Sequence, residues 1–396
     1  MYKLLLVILF LFIGCDNDAQ GLIENNDSSL IIVSLQDSDS VAIVGNNLDI
    51  EAQIPIVLMD MDMMGMGEAP HDVAVDNTHG YWFTSAMMGG SIGMYSIETN
   101  ELISSFTIGH MPALLTLDEI NKLIYVSRGM NEFNAGNIIY ELSYANNMLT
   151  EVEQWNVEFD YAHGIEFDEI SGNVYVISKT NDYIAKINPN EPQIPFSNPM
   201  IVSMDNTYNN NHTIAVNRLR PIEITTKYPY MFITCSAGEW SSEDQYEEIP
   251  GQIQMWHMED MNLLASIEFS TYSRPWHIEA SPIEDKVFIT LAGGNEEQNS
   301  DSGVVCIEYT ESDNQVTMSK SWETTSSDYG TMHGITIHSD CDGNYYVYAT
   351  GRTDGNIYKF DASTGEQIAI TNLVAFGSVR TGGIDSYSPP CDTCCD

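Results

Sequence analysis

Histidines recur at corresponding places along this chain, and aromatic and basic residues accompany them. His71, His163 and His333 each open a stretch of alternating polarity, and Trp276 and His277 stand together at the start of another. Neutral imidazole binds copper, zinc and iron, whereas guanidinium groups bind carboxylate, sulfate or phosphate. The pattern therefore predicts a site for a metal ion or an anion, provided that the fold brings these distant residues together.

The elements that must position them are short, strand-like segments. Alternating polarity with many β-branched and aromatic residues predicts β-strands, and no long segment after the first 14 residues has a helical period. Each repeat of about 40 to 60 residues holds an inner strand followed by second and third strands. The predicted inner strands are HDVAVD, ALLTLDE, HGIEFDE, IEITTK, HIEASP, HGITIH and GGIDSYS.

Repeats of this kind predict a β-propeller of four-stranded antiparallel blades. The last inner strand, 382–388, has no strands after it, and the N-terminal strands have no inner strand before them. Joining the two ends completes a seventh blade and removes exposed sheet edges. We therefore predict an all-β, seven-bladed propeller over residues 29–388.

One repeat, PHDVAVD followed by YWFTSAMMGGSIGMYSIETNELI, resembles the YVTN-repeat (YncE-like) propellers. The shared features are Pro-His before the inner strand, a glycine-rich corner and a final turn such as ETNELI or ASTGEQI. The resemblance covers nearly all of the mature chain and implies the fold, but it implies no particular activity because propellers host many functions. Long insertions such as AGEWSSEDQYEEIPGQ depart from the family pattern.

Blade topology places the candidate residues on one face. The start of an inner strand and the corner between the second and third strands lie at the same end of an antiparallel blade. The histidines and all arginines map to this end, whereas Lys122, Lys227 and Lys286 map to the opposite turns. The predicted metal ligands are His71, His163, His277 and His333, with His110 just before its strand. The predicted anion ligands are Arg128, Arg220, Arg274, Arg352, Arg380 and Trp276, and Arg218 lies beside them.

Two interpretations of the arginines stay open. A channel mouth lined with guanidinium groups would concentrate positive potential and attract an anion. Alternatively, the arginines neutralise acidic residues of the inner strands, namely Asp72, Glu166, Glu223 and Glu279.

The histidines also have two interpretations. Their placement is similar to that in nitrous oxide reductases and the selenium-binding-protein (methanethiol oxidase) family, which implies a copper-dependent oxidoreductase. The other interpretation is structural, with each imidazole bonded to the next blade. A methionine run at 59–66 would suit Cu(I) or would fill packing gaps. We favour copper over calcium as a candidate cofactor, because no segment has the full EF-hand spacing.

A third functional hypothesis is a lactonase-like hydrolase, in which carboxylates at the mouth hold a divalent ion. Asp72, Glu166 and Glu279 are the candidate general bases for it. The chain has no GxSxG elbow, no P-loop and no Rossmann glycine motif. The sequence leaves open whether the protein is an enzyme.

The N-terminus resembles that of a bacterial lipoprotein. Lys3 and the apolar run 4–13 predict a signal peptide over residues 1–14, and Cys15 in LFIGC predicts the lipidated residue. Residues 15–28 are predicted to be a flexible tether. We therefore expect a protein of the bacterial cell envelope that contacts the membrane only through its lipid anchor.

Composition limits the partners. The formal net charge is -43, from 57 acidic and 14 basic residues, and such a surface repels nucleic acid. Six cysteines follow Cys15, and we expect the tail, 389–396, to form a disulfide, with a soft-metal site as the alternative. Our leading prediction is a binding or scaffold protein whose His/Arg mouth holds an anionic small molecule or an acidic segment of a partner protein.

Overall fold

In the described part of the chain, twenty-eight strands form seven antiparallel sheets of four strands each, arranged as the blades of a β-propeller. The computed structural model describes residues 29–58, 67–109, 111–128, 138–191, 200–204, 219–237, 250–294, 300–313, 315–340, 343–377 and 380–389. Each inner strand contacts the inner strands of both neighbouring blades, which closes the ring. The fold predicted from the repeats is confirmed.

The strands fall into four rings around the central channel. The inner strands are β4 (Pro70–Asp76), β8 (Pro112–Asp118), β12 (Ala162–Asp168), β16 (Pro221–Lys227), β20 (Pro275–Ala280), β24 (Met332–Ser339) and β28 (Thr381–Tyr387). The second strands are β5 (Tyr81–Ala86), β9 (Leu123–Arg128), β13 (Asn173–Ser178), β17 (Tyr230–Cys235), β21 (Lys286–Leu291), β25 (Tyr345–Gly351) and β1 (Leu30–Leu35).

The remaining strands complete each blade towards the outside. The third strands are β6 (Ser91–Ser96), β10 (Ile138–Ser143), β14 (Tyr183–Ile187), β18 (Gln252–His257), β22 (Ser302–Ser312), β26 (Asn356–Asp361) and β2 (Ser40–Gly45). The outer strands are β7 (Leu102–Thr107), β11 (Thr150–Asn156), β15 (Met200–Ser203), β19 (Asn262–Glu268), β23 (Gln315–Ser326), β27 (Gln367–Asn372) and β3 (Ile50–Pro55).

Blades 1 to 6 begin at β4, β8, β12, β16, β20 and β24, and blade 7 joins the two ends of the chain. In blade 7, β28 pairs with β1, and Leu30 lies opposite Tyr387. Three short 3-10 helices, Gln36–Ser38, Ala145–Asn147 and Val374–Phe376, are the only helices in the described part of the chain. Among these residues no helix is long and apolar enough to cross a membrane.

The hydrophobic core is divided among the contacts between blades. Seven clusters of buried apolar side chains each join two neighbouring blades. The two described cysteines, Cys235 and Cys306, are free, buried and in different clusters. Outer strands such as β19 alternate exposed and partly buried residues, as expected for a sheet with one face in water. Packing between blades therefore holds the ring rigid around its channel.

Candidate functional site

Four histidines from blades 1, 3, 5 and 6 meet at one end of the channel. The ring centroid of His71 lies 6.3 Å from that of His163 and 6.0 Å from that of His333. The His277 and Trp276 rings lie 4.6 Å and 5.8 Å from the His333 ring. The structure therefore brings together four of the five predicted histidines, and all four are buried.

A β-bulge near the start of every inner strand positions these side chains. The pairing of β20 with β21 shifts between Pro275 and Ile278, and all the other inner strands shift at the corresponding place. A bulge adds one residue to a strand and redirects its side chains. Two consecutive residues, Trp276 and His277, can therefore both contact the same imidazole.

Hydroxyl groups then fix the backbone of these bulges from the neighbouring blade. In six blades a serine or threonine of the second strand donates a hydrogen bond to the carbonyl of the second residue of the next inner strand. These bonds run from Ser34, Ser85, Ser127, Thr234, Thr290 and Thr350 to the carbonyls of His71, Ala113, His163, Trp276, His333 and Gly382 respectively. Blade 3 has Ile177 at this position instead.

His163 takes over this role in blade 3. Its Nδ1 lies 2.8 Å from the carbonyl oxygen of Ile222 in blade 4. A carbonyl oxygen can only accept, so Nδ1 carries the hydrogen of the neutral ring and Nε2 has the lone pair. Sequence reasoning kept the structural interpretation of the histidines open, and for His163 a bond to the next blade is what the structure shows.

His71 has the opposite tautomer because of two residues beside it. Arg352 Nη2 donates to Gln36 Oε1 over 2.7 Å, so the amide nitrogen of Gln36 faces His71 Nδ1 at 2.5 Å. An arginine cannot accept a hydrogen bond, which fixes the amide and makes His71 Nδ1 the acceptor. Nε2 of the neutral ring therefore carries a hydrogen and is a donor.

All four imidazoles are neutral at physiological pH. Burial, assisted by Arg352, His277 and Lys179, lowers the pKa of His71 to about 3. Burial, with Arg352 and Lys179, lowers the pKa of His277 to about 3 as well. Burial also lowers the pKa values of His163 and His333 well below the usual value. The rings can therefore act as neutral donors and acceptors beside the cations.

Three buried ring nitrogens of the site have no hydrogen-bond partner among the described residues. They are Trp276 Nε1, His277 Nε2 and His333 Nδ1. His277 Nε2 nevertheless lies 3.6 Å from the Glu223 carboxylate, so Trp276 Nε1 and His333 Nδ1 are the two nitrogens left for a ligand. His277 and His333 expose only 7% and 4% of their surface. An indole N–H can only donate, and leaving it unpaired in a buried site costs free energy. The chemistry of this group fits an incoming acceptor such as a carboxylate oxygen.

Three cations lie at the same end of the channel as the histidines. Arg220 and Arg352 act electrostatically on Lys179, and Lys179 and Arg352 act on the imidazoles. Burial lowers the pKa of each of the three cations. Among the described residues, no carboxylate lies within ion-pair distance of any of these three cations. We call these three cations, the four histidines, Trp276 and Gln36 the mouth cluster.

Sequence reasoning missed Lys179 and Gln36, although the repeats contain a signal for them. Lys179, Arg352 and Gln36 each follow the second strand of a blade. The backbone N–H of each donates to the residue just before an inner strand, respectively Tyr161, Thr331 and Arg380. Aligning the ends of the second strands, rather than the histidines alone, would have placed all three at the mouth.

The other predicted arginines lie at the edge of the cluster or outside it. Arg380 is 56% exposed at its side chain and lies 3.7 Å from Asp37. Arg274 precedes β20 in a left-handed conformation and influences Arg220. Arg128 lies one residue earlier in its blade than Lys179 does, and successive strand residues face opposite sides. It is buried, donates to the carbonyls of Ile108 and Gly109, and covers the Tyr140 ring.

Some predictions fall on residues outside the described ranges. These are Cys15 with the leader and tether, His110, Arg218, the methionine run at 59–66, and the cysteines Cys341, Cys391, Cys394 and Cys395.

A layer of carboxylic acids lies deeper in the channel, around a cavity of about 230 Å³. Asp72 accepts from Leu115 N–H over 2.9 Å, and Asp385 accepts from Val75 N–H over 2.7 Å. Each of these bonds joins two neighbouring blades. Burial raises the pKa of Asp72 to about 7 and that of Asp385 to about 6.

The rest of this acid layer behaves similarly. Glu166 accepts from Thr116 Oγ1 over 3.2 Å and from the Thr226 N–H, and burial raises its pKa to about 8. Burial raises the pKa values of Glu223 and Glu279 well above the usual range. None of these acids pairs with an arginine among the described residues. The alternative that the arginines neutralise them is therefore not supported.

The geometry does not form a metal centre from the described residues. No group of three His, Cys, Asp or Glu side chains among them is arranged to hold an ion. Metal-binding histidines usually donate their second ring N–H to a carbonyl or carboxylate, as His163 does. His71 instead accepts from Gln36 at that nitrogen, so its second shell does not fit a metal ligand.

Comparison with known proteins supports the fold alone. No protein-family model and no curated protein matches the chain, so membership of the YVTN-repeat group stays a prediction. A functionally unknown protein from Desulfotomaculum acetoxidans DSM 771 is 12% identical, with a TM-score of 0.65, over 91% of this chain and 99% of the other.

Two named enzymes have similar structures. A putative 6-phosphogluconolactonase from Bacteroides fragilis is 12% identical, with a TM-score of 0.60, over 91% of this chain and 99% of its own. Hydrazine synthase from Kuenenia stuttgartiensis is 12% identical, with a TM-score of 0.57, over 77% and 80% of the two chains. At these identities the likeness extends to the propeller architecture and no further.

Proposed function

We propose that this propeller binds a small organic anion at the mouth cluster. One observation carries the proposal: Lys179, Arg220 and Arg352 gather at one mouth with no carboxylate partner among the described residues, in a chain of net charge -43. Guanidinium groups that lack a carboxylate partner in a partly buried site are suited to planar carboxylates. The ligand's oxygens would also accept from Trp276 Nε1, which lacks a partner.

The neutral histidines support an anion rather than a copper ion. A hydrogen on His71 Nε2 is a donor for a ligand oxygen, whereas a metal would need a lone pair there. Gln36 and Arg352 hold that tautomer in place. The same cations would repel a metal ion but attract an anion. An acidic segment of a partner protein would satisfy the same groups, and a small carboxylate is the simplest ligand with that chemistry.

We further propose that the protein works in the bacterial cell envelope, tethered by lipid on Cys15. The support is the sequence of the leader, with its apolar run and its LFIGC end. Radiolabelled palmitate should enter the full-length chain on expression in a bacterium, and Cys15→Ser should abolish that labelling. Labelling that persists in Cys15→Ser would refute the anchor.

Calorimetric titration tests the binding proposal. The soluble chain from residue 16 onwards would be titrated at low salt with acetate, pyruvate, succinate, sulfate and phosphate. We expect carboxylates to bind, with an affinity that falls as salt rises. Arg220→Gln should weaken binding at least tenfold, about 1.4 kcal/mol.

Lys122→Gln provides the matched control, since it makes the same change in net charge at the opposite end of the propeller. We expect it to leave the affinity within about twofold, because charges a Debye length apart are screened. If none of the anions binds, or if both variants weaken binding equally, the mouth cluster is not an anion site.

A further inference from the structure

Lys179 is held in an unusual way for a lysine on an acidic protein. Its Nζ lies 5.0 Å from the centre of the Trp276 ring and 5.5 Å from that of the Tyr161 ring. No carboxylate of the described residues lies within ion-pair distance of it. Aromatic faces attract the ammonium but leave its nitrogen open to a reactant, unlike a salt bridge.

The surroundings also favour the neutral, nucleophilic amine. Burial, followed by the charges of Arg220 and Arg352, lowers the pKa of Lys179 to about 8, and only Glu223 opposes this. A lysine beside other cations in a desolvated site is an established way to activate an amine for attack on a carbonyl group. Four other lysines each face a carboxylate instead, namely Lys186, Lys227, Lys286 and Lys320.

We propose that Lys179 forms a Schiff base with a small oxo acid whose carboxylate is held at the mouth cluster. This inference rests on the anion site proposed above and names its substrate class. Arg220 and Arg352 would hold the carboxylate, and an adjacent carbonyl carbon would then face Nζ. A 2-oxo acid such as pyruvate is the smallest molecule with both groups.

The reaction balances without a co-reactant. The Lys179 ammonium gives one proton to water, and the amine lone pair forms a C–N bond to the carbonyl carbon. The former carbonyl oxygen takes up that proton from water and a second proton from the nitrogen, and leaves as water, while the third hydrogen stays on nitrogen. Ammonium and ketone thus become iminium and water, and the positive charge is retained. The iminium would then withdraw electrons from the neighbouring carbon, which is the basis of lysine-dependent carbonyl chemistry.

Borohydride trapping tests the inference. The soluble chain from residue 16 onwards would be incubated with pyruvate, reduced with sodium cyanoborohydride and mapped by peptide mass spectrometry. We expect one reduced adduct, on Lys179. Acetate, which has the carboxylate but no ketone, should compete with pyruvate and give no adduct.

Two variants make the result specific. Lys179→Arg keeps the charge and lacks the nucleophile, so adduct formation should fall at least twentyfold. Lys186→Arg, at the pair with Glu259, should leave the adduct unchanged. Circular dichroism and the urea midpoint would show that Lys179→Arg is folded.

The outcomes separate the two proposals. If pyruvate binds but no adduct forms on Lys179, the Schiff-base inference is wrong and the anion site stands. If adducts form equally on exposed lysines and on Lys179, the inference is also overturned, because Lys179 then has no special reactivity. If neither pyruvate nor acetate binds, both proposals fail.

Discussion

Both layers of the channel include side chains of the inner strands, but the two layers use their polar groups in opposite ways. In the deep acid layer, the carboxylates of Asp72, Glu166 and Asp385 accept from backbone N–H groups of neighbouring blades. In the mouth cluster, Trp276 Nε1 and His333 Nδ1 have no hydrogen-bond partner within the described ranges. The deep layer is therefore a brace between blades, whereas the mouth has bonding capacity left for a ligand.

The difference shows that residue type is a poor guide to role in a propeller. Buried acids next to a cavity look like general bases, yet those named above are committed to the backbone. Buried histidines look like metal ligands, yet hydrogen bonds to Gln36 and to the Ile222 carbonyl fix the tautomers of His71 and His163 respectively. What separates a site from a brace is whether its hydrogen-bonding groups are already satisfied.

The largest expected effect is that of Glu166→Gln, which removes one titrating carboxyl group from the deep acid layer. Glu166 has a folded-state pKa of about 8, above the usual 4.5. Its stabilising contribution is therefore complete below pH 4.5 and is lost as pH rises through 8. Unfolding free energies by urea should show that wild type loses on the order of 3 kcal/mol more than the variant between pH 5 and pH 8.

The control is Glu169→Gln, an exposed change in the same blade, which should follow the wild-type curve. His71 and His277 act in the opposite direction, since lowered pKa values give stability that is lost as pH falls from 6.5 towards 3. The contribution of these two histidines is the same in wild type, Glu166→Gln and Glu169→Gln. Parallel curves for wild type and Glu166→Gln would contradict the account of the deep layer.

A somewhat smaller effect is expected on breaking one bond of the brace. Asp72→Ala leaves the buried N–H of Leu115 without an acceptor and should destabilise the propeller by about 2 kcal/mol. Asp72→Asn keeps an oxygen there and should lose less than half of that. Both should bind the anion within about twofold of wild type. A large loss of affinity with unchanged stability would reverse the roles assigned to the two layers.

The mouth should show the converse behaviour in Arg352→Gln. We expect about a tenfold loss of anion affinity, or about 1.4 kcal/mol. The loss of stability should be smaller than that of Asp72→Ala, about 1 kcal/mol, because Arg352 no longer donates to the Thr381 carbonyl and to Gln36. Arg380→Gln is the matched variant on the same rim. Because Arg380 is more exposed and faces Asp37, its effect should be less than threefold. Equal effects of the two would show that general positive potential, not the cluster, holds the ligand.

The smallest effect is expected from Gln36→Leu, which removes the link between Arg352 and His71. His71 is then free to change tautomer, and we expect anion affinity to fall about threefold, roughly 0.7 kcal/mol. Nitrogen-15 NMR of the imidazoles is the decisive readout. His71 should carry its hydrogen on Nε2 in wild type, and a wild-type hydrogen on Nδ1 would contradict the assignment.

Most of the fold was predictable from the sequence, because strand periodicity and repeats are local signals. GGIDSYS at the C-terminus and the unaccompanied strands at the N-terminus sufficed to predict the shared blade, which β28 and β1 form. The equivalence of His71, His163 and His333 also followed from the repeats, as did the displacement of His277 by one residue.

The roles of the site residues depended on contacts between blades, which the sequence does not show. Arg128 and Lys179 differ by one position in the repeat, and the strand's alternation sends the first into the core and the second to the mouth. Gln36 lies in blade 7, which the two ends of the chain form together, and it contacts His71 in blade 1. Blade 3 has Ile177 where the other second strands have a serine or threonine, and His163 makes the bond to blade 4 instead. That exchange of roles is visible only in the contact between the two blades.

Crystals of the chain from residue 16 onwards, soaked in sodium bromide and measured at the bromine absorption edge, would test the central claim most directly. Bromide locates an anion site without assuming the natural ligand. The account predicts an anomalous peak at the mouth, within contact distance of Lys179, Arg220 or Arg352, and none beside Asp72 or Glu166. Bromide bound elsewhere on the protein but absent from the mouth would contradict it.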